Sequence, residues 1–257
     1  MEILRNSENG VCTLTLNRPA VFNSFNQTMA IQLQEALDAC AFDEAIRVVV
    51  IKGEGKAFCA GQDLAEATDP EGPELKSIVR EHYNPIILKI RELEKPVIAA
   101  VNGVAAGAGA NIALACDITI AKKSASFIQA FSKIGLIPDS GGTFFLPRLI
   151  GMQKALALMM TGDKVSAEEA EKLNMIYKVV EDESFEEEIK KFAEHLATMP
   201  TRGLGLTKKA VNLGLFNSLE DQLDVEERLQ TEAGETDDFA EGVNAFLQKR
   251  APIFKGR

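Results

Sequence analysis

The sequence predicts an α/β fold with a mainly parallel sheet that helices cover on both faces. Two continuous apolar runs, at 47–53 and 96–101, are typical of strands that are buried on both sides. Two segments have apolar residues at helical spacing. One, 27–42, lies before the first run, and the other, 74–93, lies between the two runs. This alternation of strands and helices favours the α/β class.

The other elements of the predicted core continue this alternation along the chain. Val11–Leu16 alternates apolar and polar side chains, which predicts a half-buried strand. A glycine-rich turn after residue 101 leads into a small-residue helix at about 107–115. A further strand is predicted at 117–121, directly after that helix. The elements up to residue 121 therefore alternate as an α/β core requires.

Helices predominate in the prediction after residue 142. The segments with helical character are 148–162, 166–175, 184–199, 203–215, 219–233 and 236–248. Between the second and third of them, 175–180 is predicted as one more strand, and no convincing strand follows Pro200. We therefore predict an α/β core over 1–198 that carries the functional site, and a C-terminal helical segment over 199–257. That segment is expected to pack on the core or on a neighbouring subunit.

The charge of the chain is negative and unevenly distributed. Its 257 residues are 46% hydrophobic and 26% charged, which excludes a disordered or fibrous protein, and the net charge is −10. An acidic protein of this kind is not expected to bind nucleic acid or an anionic membrane. Residues 163–241 hold 21 acidic and nine basic residues, whereas the last sixteen residues contain four basic residues and no acidic one.

The four cysteines and the N-terminus indicate a cytoplasmic protein with reduced thiols. No two cysteines form a CxxC pair, so neither a zinc site nor any other metal site is predicted. The first ten residues lack the basic and apolar regions of a signal peptide. Polar residues, glycines and prolines interrupt the longest apolar stretch, 96–121, so a membrane span is not expected.

The glycine-rich turn at 102–111 is the most informative segment. It follows a predicted buried strand and opens a helix, but it fails the dinucleotide pattern GxGxxG because Ile112 stands where a third glycine is needed. Small side chains at Gly107 and Gly109 would let a ligand approach free backbone N–H groups at a helix N-terminus. Such groups suit an oxyanion or a phosphate. The alternative is close helix–sheet packing through small residues.

Two further loops also hold candidate residues. In 58–64, Ala60-Gly61 could turn a backbone N–H outward, and Asp63 could cap the next segment. Both this loop and the glycine turn follow core strands, and ligands of open α/β sheets bind at such strand ends.

In the loop 137–143, Asp139 lies among aromatic and aliphatic residues, which would raise the pKa of its carboxyl group. The alternative is that Asp139 only caps a helix beginning near Gly141. Neither His82 nor His195 sits beside a serine in a GxSxG-like turn, so a hydrolase triad has no support in the sequence.

Seven segments in this order resemble the enoyl-CoA hydratase/isomerase (crotonase) superfamily. They are LTLNRP (14–19), FNSFN (22–26), AFCAGQDL (57–64), KPVIAAVNGVAAGAGANIALACDI (95–118), FSKIGLIPDSGGT (131–143), TGDKVSAEEA (161–170) and EGVNAFLQKR (241–250). The likeness covers essentially the whole chain, and its motifs are highly specific. It implies a spiral of ββα units followed by C-terminal helices that assemble trimers or dimers of trimers.

The resemblance also implies a mechanism. In the family two backbone N–H groups hold the thioester oxygen, and the matching positions here are Gln62 and Ala108. The position of Asp139 carries the catalytic aspartate of the family's isomerases, so Asp139 is the expected general base. Hydratases of the family place glutamates at the positions of Asn111 and Phe131, which argues against hydration here. The role of Asn111 is left open between a hydrogen bond near the thioester and the ending of a helix turn.

Within the family, the likeness is greatest to the branch of phenylacetate catabolism that converts ring-1,2-epoxyphenylacetyl-CoA to oxepin-CoA. The alternative is a Δ3-Δ2-enoyl-CoA isomerase of fatty-acid oxidation, which needs the same base and the same two N–H groups. Two further hypotheses remain, an enoyl-CoA hydratase and a non-catalytic acyl-CoA-binding protein. A dehalogenase branch that uses an aspartate at the position of Asp139 also needs tryptophan and histidine, but Phe131-Ser132 stand at their positions.

The expected partner is an acyl-CoA thioester, and because coenzyme A is part of that substrate no separate cofactor is predicted. The basic tail of the chain matches the family segment that reaches the CoA phosphates, often across a subunit boundary; the alternative is a solvated basic end. The residues expected to bind substrate are Ala60, Gly61, Asp63, Leu64, Gly107, Gly109, Asn111, Phe131, Pro138, Gly142 and Lys249.

Overall fold

The computed structural model describes residues 1–257 and confirms the α/β class. Its strands form two sheets rather than one. The strands are β1 (Ile3–Glu8), β2 (Val11–Leu16), β3 (Val48–Gly53), β4 (Ala57–Cys59), β5 (Val97–Val101), β6 (Val104–Ala106), β7 (Ile118–Lys122), β8 (Ser126–Ile128), β9 (Lys164–Ser166) and β10 (Lys178–Val180). The six-stranded sheet has the order β1-β2-β3-β5-β7-β10, and the four-stranded sheet has the order β4-β6-β8-β9.

Both sheets are mainly parallel. In the six-stranded sheet only β1 and β2 run antiparallel, and β2, β3, β5, β7 and β10 are parallel to one another. In the four-stranded sheet β4, β6 and β8 are parallel and β9 is antiparallel to β8. The expectation of a single sheet was therefore wrong, whereas the spiral of ββα units that the family resemblance implies is confirmed.

Two glycines let the chain pass from one sheet to the other. A Cβ atom added to Gly53 would lie 2.2 Å from the Ala57 carbonyl oxygen, and one added to Gly103 would lie 2.1 Å from the Lys56 carbonyl oxygen. No side chain fits at such distances, so these crossings require glycine. The predicted glycine turn thus contains a strand, β6, which three residues flanked by glycines did not reveal in the sequence.

The helices agree with most of the predicted segments. They are α1 (Gln27–Phe42), α2 (Leu64–Ala67), α3 (Leu75–Ser77), α4 (Asn84–Glu92), α5 (Ala108–Ala115), α6 (Gly142–Ile150), α7 (Met152–Thr161), α8 (Ala167–Lys172), α9 (Phe185–Ala197), α10 (Thr201–Gly214), α11 (Leu219–Gly234) and α12 (Asp237–Leu247). A π-helical segment, Ile78–Tyr83, joins α3 to α4, so the predicted helix 74–93 is continuous but changes its hydrogen-bonding pattern. The predicted helix 148–162 is divided between α6 and α7 at Gly151, whose φ is 78°.

Helices cover both faces of the six-stranded sheet, as predicted. On one face, Val49 and Ile51 of β3 join a core cluster of 43 buried residues that includes residues of α1, α4 and α5. On the other face, Val48 and Val50 join a cluster of ten buried residues with the apolar side of α9. Because successive side chains of a strand point to opposite faces, this division follows directly from the continuous apolar run of β3.

The C-terminal helices add no residue to either cluster. Polar contacts fasten α10 to the core: Lys208 Nζ donates to the Ile90 carbonyl oxygen at 2.6 Å, and Asn212 Nδ2 donates to the Arg91 carbonyl oxygen at 3.0 Å. Large apolar side chains in this segment are exposed, among them Phe216, Phe246 and Leu247. No helix is long and apolar enough to cross a membrane, and all four cysteines are buried and unpaired.

Candidate active site

Two small-residue loops meet at the ends of two neighbouring parallel strands. Gly61 follows β4 and Gly107 follows β6, and β4 and β6 are paired in parallel. Both glycines have a positive φ, 96° for Gly61 and 53° for Gly107. A Cβ atom added to Gly61 would lie 3.0 Å from the Ala106 carbonyl oxygen and 3.5 Å from the Ala108 nitrogen. The loops touch backbone to backbone, which only glycine permits here.

Each of these loops presents an unpaired main-chain N–H. The N–H of Phe25 donates to the Gly61 carbonyl oxygen at 2.7 Å, and the N–H of Asp63 donates to the Phe25 carbonyl oxygen at 2.8 Å. Gln62 lies between them in this short parallel pairing, so its own N–H faces the other way and donates to no group of the chain. Ala108 is the first residue of α5, and its N–H has no intrahelical acceptor.

These two donors are suited to an oxyanion. Both are backbone groups held by strands and by a helix, so they are fixed before any ligand arrives. The N-terminus of α5 adds roughly half a unit of positive charge from its aligned peptide dipoles. The N–H groups of Gln62 and Ala108 are therefore free to donate to a ligand oxygen. The packing alternative also holds in part, because α5 is buried along its whole length.

Gly109 sets the depth at which α5 packs on the sheet. A Cβ atom added to Gly109 would lie 2.5 Å from the Cys59 carbonyl oxygen and 2.7 Å from the Cys59 sulfur. The helix therefore lies directly against β4, the strand that leads to Gly61. Cys59 is fully buried, and this burial raises the pKa of its thiol to about 12, which favours packing over a nucleophilic role.

Asp139 does not cap the following helix. The cap residue of α6 is Gly141, which has a φ of 73° and makes no side-chain cap hydrogen bond. Ser140 has a positive φ as well, 50°, and these two left-handed residues separate the Asp139 carboxyl group from the first turn of the helix. The capping alternative was therefore wrong, and the carboxyl group is free for another role.

The Asp139 carboxyl group lies in a desolvated setting. Burial raises its pKa, and the hydrogen bond from Ser140 Oγ to Asp139 Oδ1, 2.8 Å long, partly opposes that rise. No other residue donates a hydrogen bond to Oδ2. One oxygen is thus held by a hydroxyl group and the other is available, which is the arrangement that a proton acceptor needs.

Asn111 fastens the Asp139 loop to α5. Its Nδ2 donates to the Asp139 carbonyl oxygen at 2.9 Å, and its Oδ1 accepts a hydrogen bond from Gln129 Nε2 at 2.8 Å. The Asn111 side chain is fully buried, and Gly142 packs so closely on it that an added Cβ atom would lie 2.3 Å from Nδ2. Asn111 lies inside α5 and does not end it. Its amide instead holds the main chain of the candidate base.

The sequence did not identify Gln129 as part of the site. It follows β8, a strand of three residues, and nothing in the local pattern distinguishes it from any other polar residue at a strand end. Only the fold brings it to Asn111, 18 residues away along the chain.

The other predicted substrate-binding residues surround these groups to different degrees. Phe131 is buried, and its Cζ would lie 3.9 Å from a Cβ atom on Gly107, so it forms a wall beside the glycine turn. Asp63 caps α2 by accepting a hydrogen bond from the Ala65 N–H at 3.0 Å, which confirms its predicted capping role. Ala60 and Leu64 are exposed at the mouth of the first loop, and Pro138 is half-buried next to Asp139.

Lys249 has no contact with these groups within one chain. The C-terminal tail is held by Arg47, whose Nη1 donates to the Phe254 carbonyl oxygen at 3.0 Å. Arg47 directly precedes β3 and so lies at its N-terminal end. Strand β4, which leads to Gly61, begins next to Gly53 at the C-terminal end of β3. The anchor of the tail and the start of β4 therefore lie at opposite ends of β3. In the same tail Arg250 forms an ion pair with Glu241. A role of Lys249 at the CoA phosphates, within one subunit or across two, stays a prediction.

Comparisons with known proteins show the family of the chain. The family described as enoyl-CoA hydratase/isomerase matches residues 6–257. The chain belongs to this family. It is 51% identical to the 1,2-epoxyphenylacetyl-CoA isomerase of Escherichia coli K12, over 99% of this chain and 98% of that protein. It is 48% identical to a probable enoyl-CoA hydratase of Rhodobacter capsulatus, over 96% and 95% of the two chains.

A comparison with solved structures shows that the chain has the fold of the hydratase/isomerase family. A crystal structure of enoyl-CoA hydratase from Bacillus anthracis superposes with a TM-score of 0.93 and 35% sequence identity, and the match covers all of both chains. Members of the enoyl-CoA hydratase/isomerase family are named for acting on CoA thioesters. The chain is therefore an enzyme of this CoA-thioester family.

We expect Ser140→Ala to move the pH dependence of this hydratase/isomerase-family protein. The Ser140 hydroxyl lowers the pKa of Asp139, so its removal raises that pKa further. A base is active when ionised, and the acidic limb of the kcat/KM profile should therefore shift to higher pH, with the loss of activity greatest at low pH. The measurement is a pH–rate profile of both proteins. A shift to lower pH, or none, would contradict the role of this hydrogen bond.

We expect Asn111→Leu to reduce both the stability of this family member and its turnover. Leucine has a similar shape but leaves Gln129 Nε2 without an acceptor, and an unsatisfied buried polar group costs about 1–3 kcal/mol. The Asp139 carbonyl oxygen loses the hydrogen bond from Asn111 and keeps the one from the Gly142 N–H at 2.8 Å. Because the Asp139 loop loses its link to α5, kcat should fall more than affinity for the thioester. Urea unfolding and steady-state kinetics measure the two effects. Unchanged unfolding and unchanged kcat together would exclude an anchoring role.

Proposed function

We propose that this protein is an isomerase of acyl-CoA thioesters in which Asp139 is the general base and the N–H groups of Gln62 and Ala108 form the oxyanion hole. The proposed reaction is the conversion of ring-1,2-epoxyphenylacetyl-CoA to oxepin-CoA. The observation that carries it is the free Oδ2 of the half-buried Asp139, whose pKa is raised by desolvation. The two positions at which hydratases carry glutamates hold Asn111 and Phe131. The relative from Escherichia coli that bears this activity in its name supports the choice of substrate.

The proposed chemistry is a proton transfer through an enolate. The thioester carbonyl oxygen accepts hydrogen bonds from the two N–H groups, and Asp139 Oδ2 takes a proton from a carbon near the thioester. The electron pair of that C–H bond moves toward the carbonyl, and the resulting oxyanion is stabilised in the hole; one such donor contributes about 3–4 kcal/mol in other enzymes. Asp139 then returns the proton at a different position, which restores the enzyme. With an epoxide substrate this shuttling accompanies opening of the three-membered ring and expansion to the oxepin.

Hydration of a double bond fits these residues poorly. It requires a side chain that can deprotonate water, and the family's hydratases supply glutamates at the positions of Asn111 and Phe131. The Asn111 amide is fully buried and both its ends are engaged by other residues, and Phe131 has no titratable group. Of the three family positions 111, 131 and 139, only Asp139 carries a group that can act as a base. This reasoning supports an isomerase over the hydratase named for the relative from Rhodobacter capsulatus.

The test of the proposed reaction compares two CoA thioesters. Purified enzyme is incubated with ring-1,2-epoxyphenylacetyl-CoA and, separately, with a β,γ-unsaturated enoyl-CoA, and products are followed by absorbance and chromatography. Turnover of the epoxide to oxepin-CoA supports the proposal. Turnover of the enoyl-CoA alone would replace it with the Δ3-Δ2 isomerase, which needs the same groups. Binding of both thioesters without turnover would favour a non-catalytic acyl-CoA-binding protein.

We also propose that the protein assembles as a homotrimer or a dimer of trimers through its C-terminal helices. Three exposed apolar side chains support this, Phe216 in the turn after α10 and Phe246 and Leu247 on α12, since surfaces of this kind are usually covered by a partner. Such an assembly would also allow Lys249 of one subunit to reach the CoA phosphates bound by another. Light scattering in solution tests the assembly, and a monomer at micromolar concentration would contradict it.

A further inference from the structure

The π-helical segment Ile78–Tyr83 places a tyrosine hydroxyl beside the proposed oxyanion hole. Tyr83 is the last residue of this segment and its side chain is fully buried. Its hydroxyl group donates to Gln62 Oε1 at 2.8 Å, although the two residues are 21 positions apart in the sequence. Single π-helical turns inside longer helices occur frequently at functional sites. Neither this segment nor Tyr83 has a role in the proton transfer described above.

The Gln62 side chain is held at both of its polar ends. Tyr83 binds Oε1, while Nε2 donates to Glu66 Oε2 at 3.1 Å. The Glu66 carboxylate in turn accepts hydrogen bonds from the N–H of Gln27, the first residue of α1, at 3.0 and 3.2 Å. A chain of hydrogen bonds thus runs from Tyr83 through Gln62 to the N-terminus of α1. In contrast, the main-chain N–H of Gln62 remains unpaired.

Tyr83 reaches Gln62 by a second route through Phe25. The rings of Phe25 and Tyr83 pack edge to face, with centroids 5.8 Å apart and an interplanar angle of 61°. Phe25 also makes the two main-chain hydrogen bonds on either side of Gln62, to the Gly61 carbonyl oxygen and from the Asp63 N–H. The same tyrosine therefore supports both the side chain of Gln62 and the backbone that carries its N–H.

We propose that Tyr83 is a positioning residue that sets the direction of the Gln62 N–H toward the thioester oxygen. This inference rests on the proposed oxyanion hole. A hydrogen bond weakens steeply as its angle departs from linearity, so a small rotation of the Gln62 peptide would weaken stabilisation of the oxyanion. Tyr83 opposes that rotation because its ring is locked in the core and its hydroxyl has a single acceptor.

The variant that tests this is Tyr83→Phe, which keeps the ring and removes the hydroxyl group. Loss of one hydrogen bond of this kind corresponds to about a three- to tenfold effect, and we expect it in kcat with KM little changed. The second readout is the infrared stretch of phenylacetyl-CoA labelled with carbon-13 at the thioester carbonyl. Its frequency should move toward the free-ligand value in Tyr83→Phe. Tyr177→Phe is the matched control, because Tyr177 is the other tyrosine of the chain and is exposed.

A double-variant cycle separates positioning from a general loss of structure. Gln62→Met removes the acceptor of the Tyr83 hydroxyl but keeps the main-chain N–H. Gln62→Met also loses the hydrogen bond from Nε2 to Glu66, so its own loss of kcat can exceed that of Tyr83→Phe. If Tyr83 acts through the Gln62 side chain, then adding Tyr83→Phe to Gln62→Met should cause no further loss of kcat. Additive losses would overturn the proposal, as would an unmoved carbonyl stretch in Tyr83→Phe. A wild type inert toward every CoA thioester would instead contradict the proposed reaction, while the carbonyl stretch of the bound ligand would still test Tyr83.

Discussion

Asp139→Asn should abolish most of the proposed isomerase activity and leave the fold intact. Positioned proton transfer contributes about 10²–10⁴-fold to rates in enzymes, and an amide cannot accept the proton, so kcat should fall by a factor in that range. The Ser140 hydroxyl can still donate to the oxygen that replaces Oδ1, and the shape of the side chain is kept. The affinity for the CoA thioester should therefore change little.

The same substitution should also preserve or raise stability at neutral pH. Burial raises the pKa of Asp139 in the folded protein, so the folded state binds this proton more tightly than the unfolded state does. Stability then falls as pH rises through the interval between the two pKa values, and an ionised Asp139 is unfavourable above it. Asparagine carries no charge and removes this cost. An increase in Tm together with lost activity is typical of a residue kept for function.

Kinetics, isothermal titration calorimetry and thermal unfolding measure these three effects. Asp224→Asn is the matched control, because Asp224 is exposed on α11 and forms no ion pair; it should retain full activity. If Asp139→Asn retained more than about one tenth of the wild-type kcat, another group would have to be the base.

Gly109→Ala should cause the second largest loss. The added Cβ atom would lie 2.5 Å from the Cys59 carbonyl oxygen, a backbone atom that cannot move aside alone, so α5 must shift away from β4. Overpacking of this kind costs about 1–3 kcal/mol of stability. The shift also displaces the Ala108 N–H, and loss of one oxyanion-hole donor lowers kcat by about 10²–10³-fold. We expect both effects in the one variant.

Gly234→Ala provides the control for a glycine that has no such contact. No atom lies within 4 Å of a Cβ added at Gly234, which is the last residue of α11. Alanine at a compatible position typically stabilises a protein by about 0.4–1 kcal/mol, so this variant should be active and slightly more stable. Thermal unfolding and kcat are measured on both variants. Equal activity of Gly109→Ala and the wild type would show that the spacing of α5 and β4 is not critical to the reaction.

The fold could be predicted where a pattern lies within one element. Both β2 and α1 have the predicted bounds, because strict alternation and helical spacing are local properties. The four-stranded sheet was not predicted, since all of its strands have only three residues and none is long enough for a pattern. The division into two sheets depends on Gly53 and Gly103, where the chain passes from one sheet to the other. The need for glycine there follows from contacts between the two sheets, which the local sequence does not reveal.

The candidate site was predicted in part, and mainly through the family resemblance. Local reasoning left Asp139 open between base and helix cap, because that choice depends on the left-handed conformations of Ser140 and Gly141. The supporting partners were not predicted. Tyr83 and Gln129 reach Gln62 and Asn111 across 21 and 18 residues of sequence, and such contacts depend on tertiary structure alone.

The uneven charge of the chain agrees with this account of the site. The ion pairs of the acidic helix α9, such as Lys178 with Glu188, lie at the surface. The carboxyl group proposed to do chemistry is half-buried, and the desolvation that raises its pKa is a property of its surroundings and not of the net charge of −10.

Whether the site moves a proton or adds water is decided most directly by one measurement. The wild-type enzyme is incubated with ring-1,2-epoxyphenylacetyl-CoA in water labelled with oxygen-18, and the product is analysed by mass spectrometry. The proposed chemistry predicts a product of the same composition as the substrate, with no oxygen-18. A product heavier by one molecule of labelled water would contradict it.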